Sequence, residues 1–168
     1  AEPKLAQVAA EAGVPVVIMA NMRRVPAGFP WSDGMTRRDG IQRRDVVQDV
    51  ADYLARGIER ALAAGVPRDH IIADPGFGFG PTPAENMTLL RRLDELLALG
   101  RPILLGVSRK STLGILLGGA PVEDRLEASL AAAVAGVLRG AALVRVHDVR
   151  ATARALKVAD AIRYGMPG

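Results

Sequence analysis

Cysteine is absent from the 168 residues, and aromatic residues make up only 4%. Without thiols neither a disulfide framework nor a thiolate metal site can form, and a reducing compartment is permitted. The apolar runs, such as 103–107 and 141–144, are short, far below the ~18 residues that span a bilayer. No basic stretch leading into an apolar segment opens the chain. No secretory signal or membrane partner is therefore expected, and the chain reads as cytoplasmic. Lysine is also scarce: the net charge of +4 rests on arginine, with Lys4, Lys110 and Lys157 the only lysines. The pairs Arg23-Arg24, Arg37-Arg38, Arg43-Arg44 and Arg91-Arg92 are mixed with Asp39, Asp45, Asp49, Asp94 and Glu95. Few aromatics and mixed charge describe solvated helix faces, not a nucleic-acid stripe. A mild positive excess suits a small anionic substrate.

What is present is a globular composition, 49% hydrophobic and 24% charged. One domain is the default at this length, burying roughly 70% of its unfolded surface. Helical spacing runs over 2–12 and stops at Gly13, and Val14 to Met19 is a β-branched strand. A Pro/Gly-rich loop of the kind that carries function covers 26–40. Val47, Val50, Leu54, Ile58 and Leu62 mark one face of a helix over 41–64. Ile71 to Ala73 is a second strand running into Asp74-Pro75-Gly76. Thr82-Pro83-Ala84-Glu85 is a capping box for a helix that continues to Gly100. A third strand spans 103–107, an Ala-rich helix 126–138 and a fourth strand 142–146. Asp148 is expected to cap a last helix ending near Tyr164. Short strands without alternation, each followed by a helix, predict a parallel sheet covered by helices. An open doubly wound sheet and a (β/α)8 barrel share this order. Four strands make half of a barrel, whose outer strands would expose unpaired backbone.

Three clusters follow three successive strands, at the ends where parallel sheets bind ligands. In Asp74-Pro-Gly-Phe-Gly-Phe-Gly, a carboxylate leaving a buried strand can accept two N–H bonds from an aminopyrimidinone edge. The glycines admit a close backbone or ligand, and Phe79 can stack on a flat ring. The bland alternative is a turn in which Asp74 bonds local N–H groups. In Gly106-Val-Ser-Arg-Lys-Ser, a lysine beside a hydroxyl at a helix start suits an anion or a carbonyl oxygen. In Arg145-Val-His-Asp, strand alternation sets Arg145 and His147 on one face, where they suit an anion. The alternatives are an arginine bonded to Asp74 and an ordinary core histidine. No P-loop, GxSxG elbow, dinucleotide fingerprint or His-based metal pair occurs.

Asp74-Pro-Gly-Phe-Gly-Phe-Gly, then Asn86, Gly106-Val-Ser-Arg-Lys-Ser and Arg145-Val-His-Asp-Val together resemble the dihydropteroate synthases. The resemblance covers the whole chain and corresponds to the C-terminal portion of that enzyme, helix 4 to helix 8. It implies a TIM (β/α)8 barrel of the pterin-binding type, α/β in class. Residues 1–168 would form the C-terminal part of a single domain, with the first four strands absent. It further implies a transferase of folate biosynthesis, a target of sulfonamides. Such an enzyme condenses p-aminobenzoate with 6-hydroxymethyl-7,8-dihydropterin pyrophosphate, giving 7,8-dihydropteroate and pyrophosphate.

Position by position, the resemblance puts Asp74, Lys110, Met19 and Gly106 around the pterin. Arg145 and His147 would hold the pyrophosphate, and Phe79 and Ser111 would border the p-aminobenzoate. Mg2+ is the implied cofactor, its ligand expected from the N-terminal half, with no metal ligand in this chain. A homodimer through the last two helices is implied too, with Ala128, Ala131, Ala132 and Ala135 permitting close packing. The chain departs from the family at Met19-Ala20-Asn21-Met22, where Met-His-Met is usual. It departs again at Pro81, where lysine is common, and at Glu85-Asn86, where His-Asn is. Two other readings share these residues: a pterin-binding methyltransferase domain, and a non-catalytic half-barrel that assembles with a partner.

Overall fold

The computed structural model describes residues 3–23 and 45–166. The loop expected over 26–40 and the first turn of the helix expected from 41 lie outside them.

Among the described residues the chain alternates helix and strand. It runs α1 (Pro3–Ala12), β1 (Val16–Met19), α2 (Val46–Ala63), β2 (Ile71–Asp74), α3 (Pro83–Arg91) and β3 (Leu104–Leu105). It continues with α4 (Ser111–Leu116), α5 (Leu126–Leu138), β4 (Leu143–Val144) and α6 (Val149–Tyr164). The strands are parallel and stand in sequence order. β1 pairs with β2, β3 pairs with β4, and a parallel bridge from Ala73 to Ile103 joins the two pairs. A doubly wound sheet reverses its order at a switch point, whereas a barrel advances strand by strand. The absence of any reversal makes this a segment of a barrel wall.

The strands are shorter than the apolar runs suggest. The run 14–19 yields strand only from Val16, 103–107 only Leu104–Leu105, and 142–146 only Leu143–Val144. β2 instead extends through Asp74. The helix expected from Thr82 to Gly100 is also divided. Its capping box forms as read, with the Thr82 hydroxyl accepting from Glu85 N–H and the Glu85 carboxylate accepting from Thr82 N–H. The α-helix then ends at Arg92 (φ −114°), and a 3-10 helix carries on over Leu93–Leu99. Arg92 turns its guanidinium back to Glu95 at 2.6 Å and across to Asp45 at 2.9 Å, tying the break to the start of α2.

One face of the sheet is closed by the helices. Ala73, Ile103, Leu105 and Val107 are buried there, against Leu54 and Val50 of α2, Leu89 of α3 and Ala132 and Ala133 of α5, while Ile71 packs with Ile58, Ala61 and Val66. Strand alternation sends Val17, Met19, Ile72, Asp74, Leu104 and Leu143 to the other face, with Gly106, Arg145 and His147 following the ends of β3 and β4. That face is open, with Val17 48% and Leu143 41% exposed. A groove of about 390 Å³ also runs along the free edge of β1, between α1 and α2.

Candidate functional site

The site forms where β2, β3 and β4 end on the open face. Asp74 is the last residue of β2, paired in register with Met19, and it is buried. Its Oδ1 accepts the Gly76 N–H at 2.8 Å. This is the plainer of the two sequence readings, a turn closed by the carboxylate, and Oδ2 accepts nothing from the described residues. Burial pushes its carboxyl above the ordinary value, while the Gly76 N–H, Arg145 and Lys110 pull it down.

The loop after Asp74 keeps its shape through the chain itself. Ala20 N–H donates to the Asp74 carbonyl at 2.9 Å, and Met22 N–H to the Phe79 carbonyl at 2.8 Å. Gly76 has φ +69°, and a Cβ there would stand 1.7 Å from the Ala20 carbonyl oxygen. Gly76 thus admits close backbone rather than a ligand. Phe77 is buried in the core, leaving Phe79 half-buried above the site. Lys110 Nζ lies 4.0 Å from the Phe79 ring centroid, so that face of the ring holds an ammonium.

Asn86 is the residue whose role the sequence did not disclose. It is 1% exposed, and every hydrogen-bonding group of its amide is used. Its Oδ1 accepts the Gly78 N–H at 2.7 Å. Its Nδ2 donates to the carbonyls of Pro81 and Thr82 and to Thr112 Oγ1, at 2.9, 3.0 and 3.2 Å. One side chain therefore fixes the Phe79 loop and ties it to α4. In the sequence its place after the glycine-rich loop is the one signal that marks it. Ser111, by contrast, opens α4 and is exposed.

Lys110 and Arg145 bring positive charge to the site. Neither makes an ion pair or side-chain hydrogen bond among the described residues, so the alternative reading, an arginine bonded to Asp74, is not what the structure shows. Desolvation lowers the Lys110 ammonium below its ordinary value, and Arg145 and Arg23 push the same way against Asp74. The Arg145 guanidinium rests over Gly106, where a Cβ would be 3.8 Å from Nε. His147 is exposed, with Nδ1 at 3.0 Å from the hydroxyl of buried Ser108, which also accepts the His147 N–H at 3.2 Å. Asp148 occupies the N-cap of α6 but makes no side-chain cap bond, contrary to expectation. Its carboxylate is taken by Arg109 at 2.7 Å.

The structure brings Asp74, Lys110, Phe79, Gly106, Arg145 and His147 to one rim, with Met19 beside them on β1. Among the described residues the arrangement is a buried carboxylate with one oxygen left over, beside two cations that form no ion pair. It can hold a group that is a hydrogen-bond donor at one end and an anion at the other. Among the described residues no three His, Asp or Glu converge on a metal position. A dication beside Asp74 would also meet Lys110 and Arg145. These residues do not fit Mg2+. No described helix is long and apolar enough to cross a membrane.

A family model described as pterin binding enzyme matches residues 1–147. The dihydropteroate synthase of Mycobacterium leprae is 42% identical over 172 residues, covering 99% of this chain and 58% of that protein. That of Neisseria meningitidis serogroup B is 52% identical over 122 residues, 71% of this chain and 43% of that protein. The chain spans about half the length of the curated relatives it matches. Among solved structures, the Thermus thermophilus dihydropteroate synthase in complex with 4-aminobenzoate superposes with a TM-score of 0.82 at 42% identity. It covers 96% of this chain and 62% of that one. The Xanthomonas albilineans enzyme in complex with 7,8-dihydropteroate gives 0.82 at 38% identity, covering 99% and 56%. These relatives favour a synthase over a methyltransferase. Sequence motifs, strand order and superposition agree: the chain belongs to the pterin-binding enzyme family and carries a part of its (β/α)8 barrel.

Proposed function

We propose that residues 1–168 form the C-terminal part of a single dihydropteroate synthase domain and supply its pterin and pyrophosphate sites. The observation that carries this is that Lys110 and Arg145, neither ion-paired among the described residues, act on buried Asp74, whose Oδ2 accepts nothing from those residues. Asp74 Oδ2 accepts an N–H of the pterin's amino-pyrimidine edge, and Lys110 donates to the ring acceptors. Met19 and Gly106 line the ring, Gly106 leaving room beside Arg145. Arg145 and His147 receive the pyrophosphate, and Phe79 and Ser111 border the p-aminobenzoate.

In the reaction the methylene C–O bond breaks, and its electron pair leaves with the pyrophosphate. The arylamine nitrogen forms the new C–N bond and then loses a proton. Positive charge grows on the pterin, where Asp74 stabilises it. Negative charge grows on the leaving group, where Arg145 and His147 stabilise it. No protein nucleophile takes part.

The same reading carries a cytoplasmic location and a homodimer through α5 and α6. Ala128, Ala132 and Ala135 pack into the chain's own core. Support for the dimer comes instead from α6, where Val149, Val158 and Ile162 are 66%, 61% and 69% exposed. A Val158→Glu, Ile162→Glu double variant is expected to halve the mass seen by light scattering. A monomer mass for the parent chain would remove the dimer.

The function is tested by titrating the chain with pterin pyrophosphate and with pyrophosphate alone, alongside p-aminobenzoate-dependent pyrophosphate release. Asp74→Ala should weaken the pterin ligand while leaving pyrophosphate binding intact, and Arg145→Ala should weaken both. Binding that neither substitution alters would refute the reading.

A further inference from the structure

We propose that the Arg109–Asp148 ion pair is a clip that positions Lys110 and His147, joining the β3 and β4 loops beyond the reach of the sheet. The inference rests on the reading above for its ligands, and its geometry stands apart from that reading. Backbone pairing between β3 and β4 is brief: Leu104 and Leu105 face Leu143 and Val144, and Arg145 N–H donates to the Leu105 carbonyl at 3.0 Å. Past that point the two chains remain together through side chains. Ser108 is bonded to His147, and the next residue, Arg109, is bonded to the next residue, Asp148. The second link is bidentate, with Nε to Oδ2 at 2.9 Å and Nη2 to Oδ1 at 2.7 Å. A guanidinium fork on a carboxylate fixes direction as well as distance, which a single-point contact does not.

The backbone at Arg109 shows that this side chain is used for more than the turn. Arg109 has φ +56°, the one non-glycine residue with positive φ among the described residues. Glycine or asparagine would adopt that conformation at less cost, so a turn alone does not call for arginine. Strain of this kind persists where neighbours over-determine it. Here α5 does so: Ser129 Oγ accepts the Arg109 N–H at 2.9 Å, and Arg125 Nη1 donates to the Arg109 carbonyl at 3.0 Å. The left-handed residue reverses the chain so that Ser108 meets His147 on one side while Lys110 lies over Phe79 on the other. The pair is about a quarter exposed. An ion pair of that exposure adds little to stability, so its effect falls on geometry. Asp148 stays ionised, because the Arg109 hydrogen bonds hold its carboxyl below the ordinary value.

Two variants test the clip: Arg109→Gly, which keeps the left-handed turn and removes the fork, and Asp148→Asn, which keeps the shape and removes the charge. Both should melt close to the parent chain. By NMR, the Lys110 and His147 amides should begin microsecond–millisecond exchange together, while Asp74 stays sharp. Affinity for inorganic pyrophosphate should fall about tenfold, as expected when a binding group is misplaced without being removed. Arg109→Lys should not restore it, because an ammonium lacks the fork. Unchanged Lys110 and His147 amides in both variants would overturn the proposal, as would a melting loss large enough to explain the affinity loss. A parent chain that bound no pterin pyrophosphate would count against the proposed function, while the ligand-free amide measurement would still decide the clip.

Discussion

The two faces of this sheet have opposite fates. The face toward the helices is sealed, with Ile71, Ala73 and Ile103 fully buried and Leu105 1% exposed. The other face leaves Val17 and Leu143 nearly half exposed and carries Asp74, with Arg145 and His147 following the end of β4. Carboxylates on the two sides differ in the same sense. Asp45 caps α2, with Oδ1 accepting the Val47 N–H at 2.8 Å. Desolvation raises its carboxyl, but Arg92 and the Val47 N–H outweigh that and hold it below the ordinary value. Burial holds Asp74 above it. The covered face stores the stability, and the open face gives some of it up to keep charges ready for a ligand.

The strongest way to break this contrast is Gly76→Ala, which drives a Cβ into the Ala20 carbonyl oxygen at a left-handed position. It should separate the β1 and β2 ends and cost about 3 kcal/mol or more, read as a drop in the urea midpoint. A stability within error of the parent would show that this junction is looser than it looks. Next in size, Leu105→Ala should cost about 2–5 kcal/mol by leaving a cavity. Leu143→Ala on the open face should cost under about 1 kcal/mol, since it is already wet. Equal losses in denaturant titrations would mean that the open face is covered in solution.

Smaller effects separate the two carboxylates. Asp45→Ala should cost about 1 kcal/mol at neutral pH through the lost cap. Because the folded chain holds Asp45 low, its contribution is full above the ordinary carboxylate value and is lost as pH falls through the lower folded one. Denaturation curves from pH 6 to pH 2 should therefore show a steeper acid loss in the parent than in Asp45→Ala. Asp74→Asn should do the reverse. A raised folded value means that ionised Asp74 subtracts stability as pH rises through it. Removing that charge should lift the melting temperature by roughly 2–4 °C, about 1 kcal/mol, while pterin binding is lost. A lower melting temperature would show that Asp74 holds the fold together.

The sequence by itself determined the order of helices and strands, the Thr82 capping box and the parallel pairing. These depend on local rules: apolar period, cap chemistry and strand alternation. It also exposed the three clusters, because strand ends in a parallel sheet place their loops on one rim. Other features escaped it, since they depend on which distant side chain arrives. β3 and β4 pair over only two residues each, and the helix after Thr82 breaks at Arg92, whose guanidinium reaches Asp45. Asp148 left its cap for Arg109, and Phe79 took the Lys110 ammonium onto its ring. The amide of Asn86 found partners on two elements. Only the tertiary structure could decide these, because a polar group buried or half-buried in a fold bonds whatever the packing brings within reach. That choice is made across tens of residues of chain.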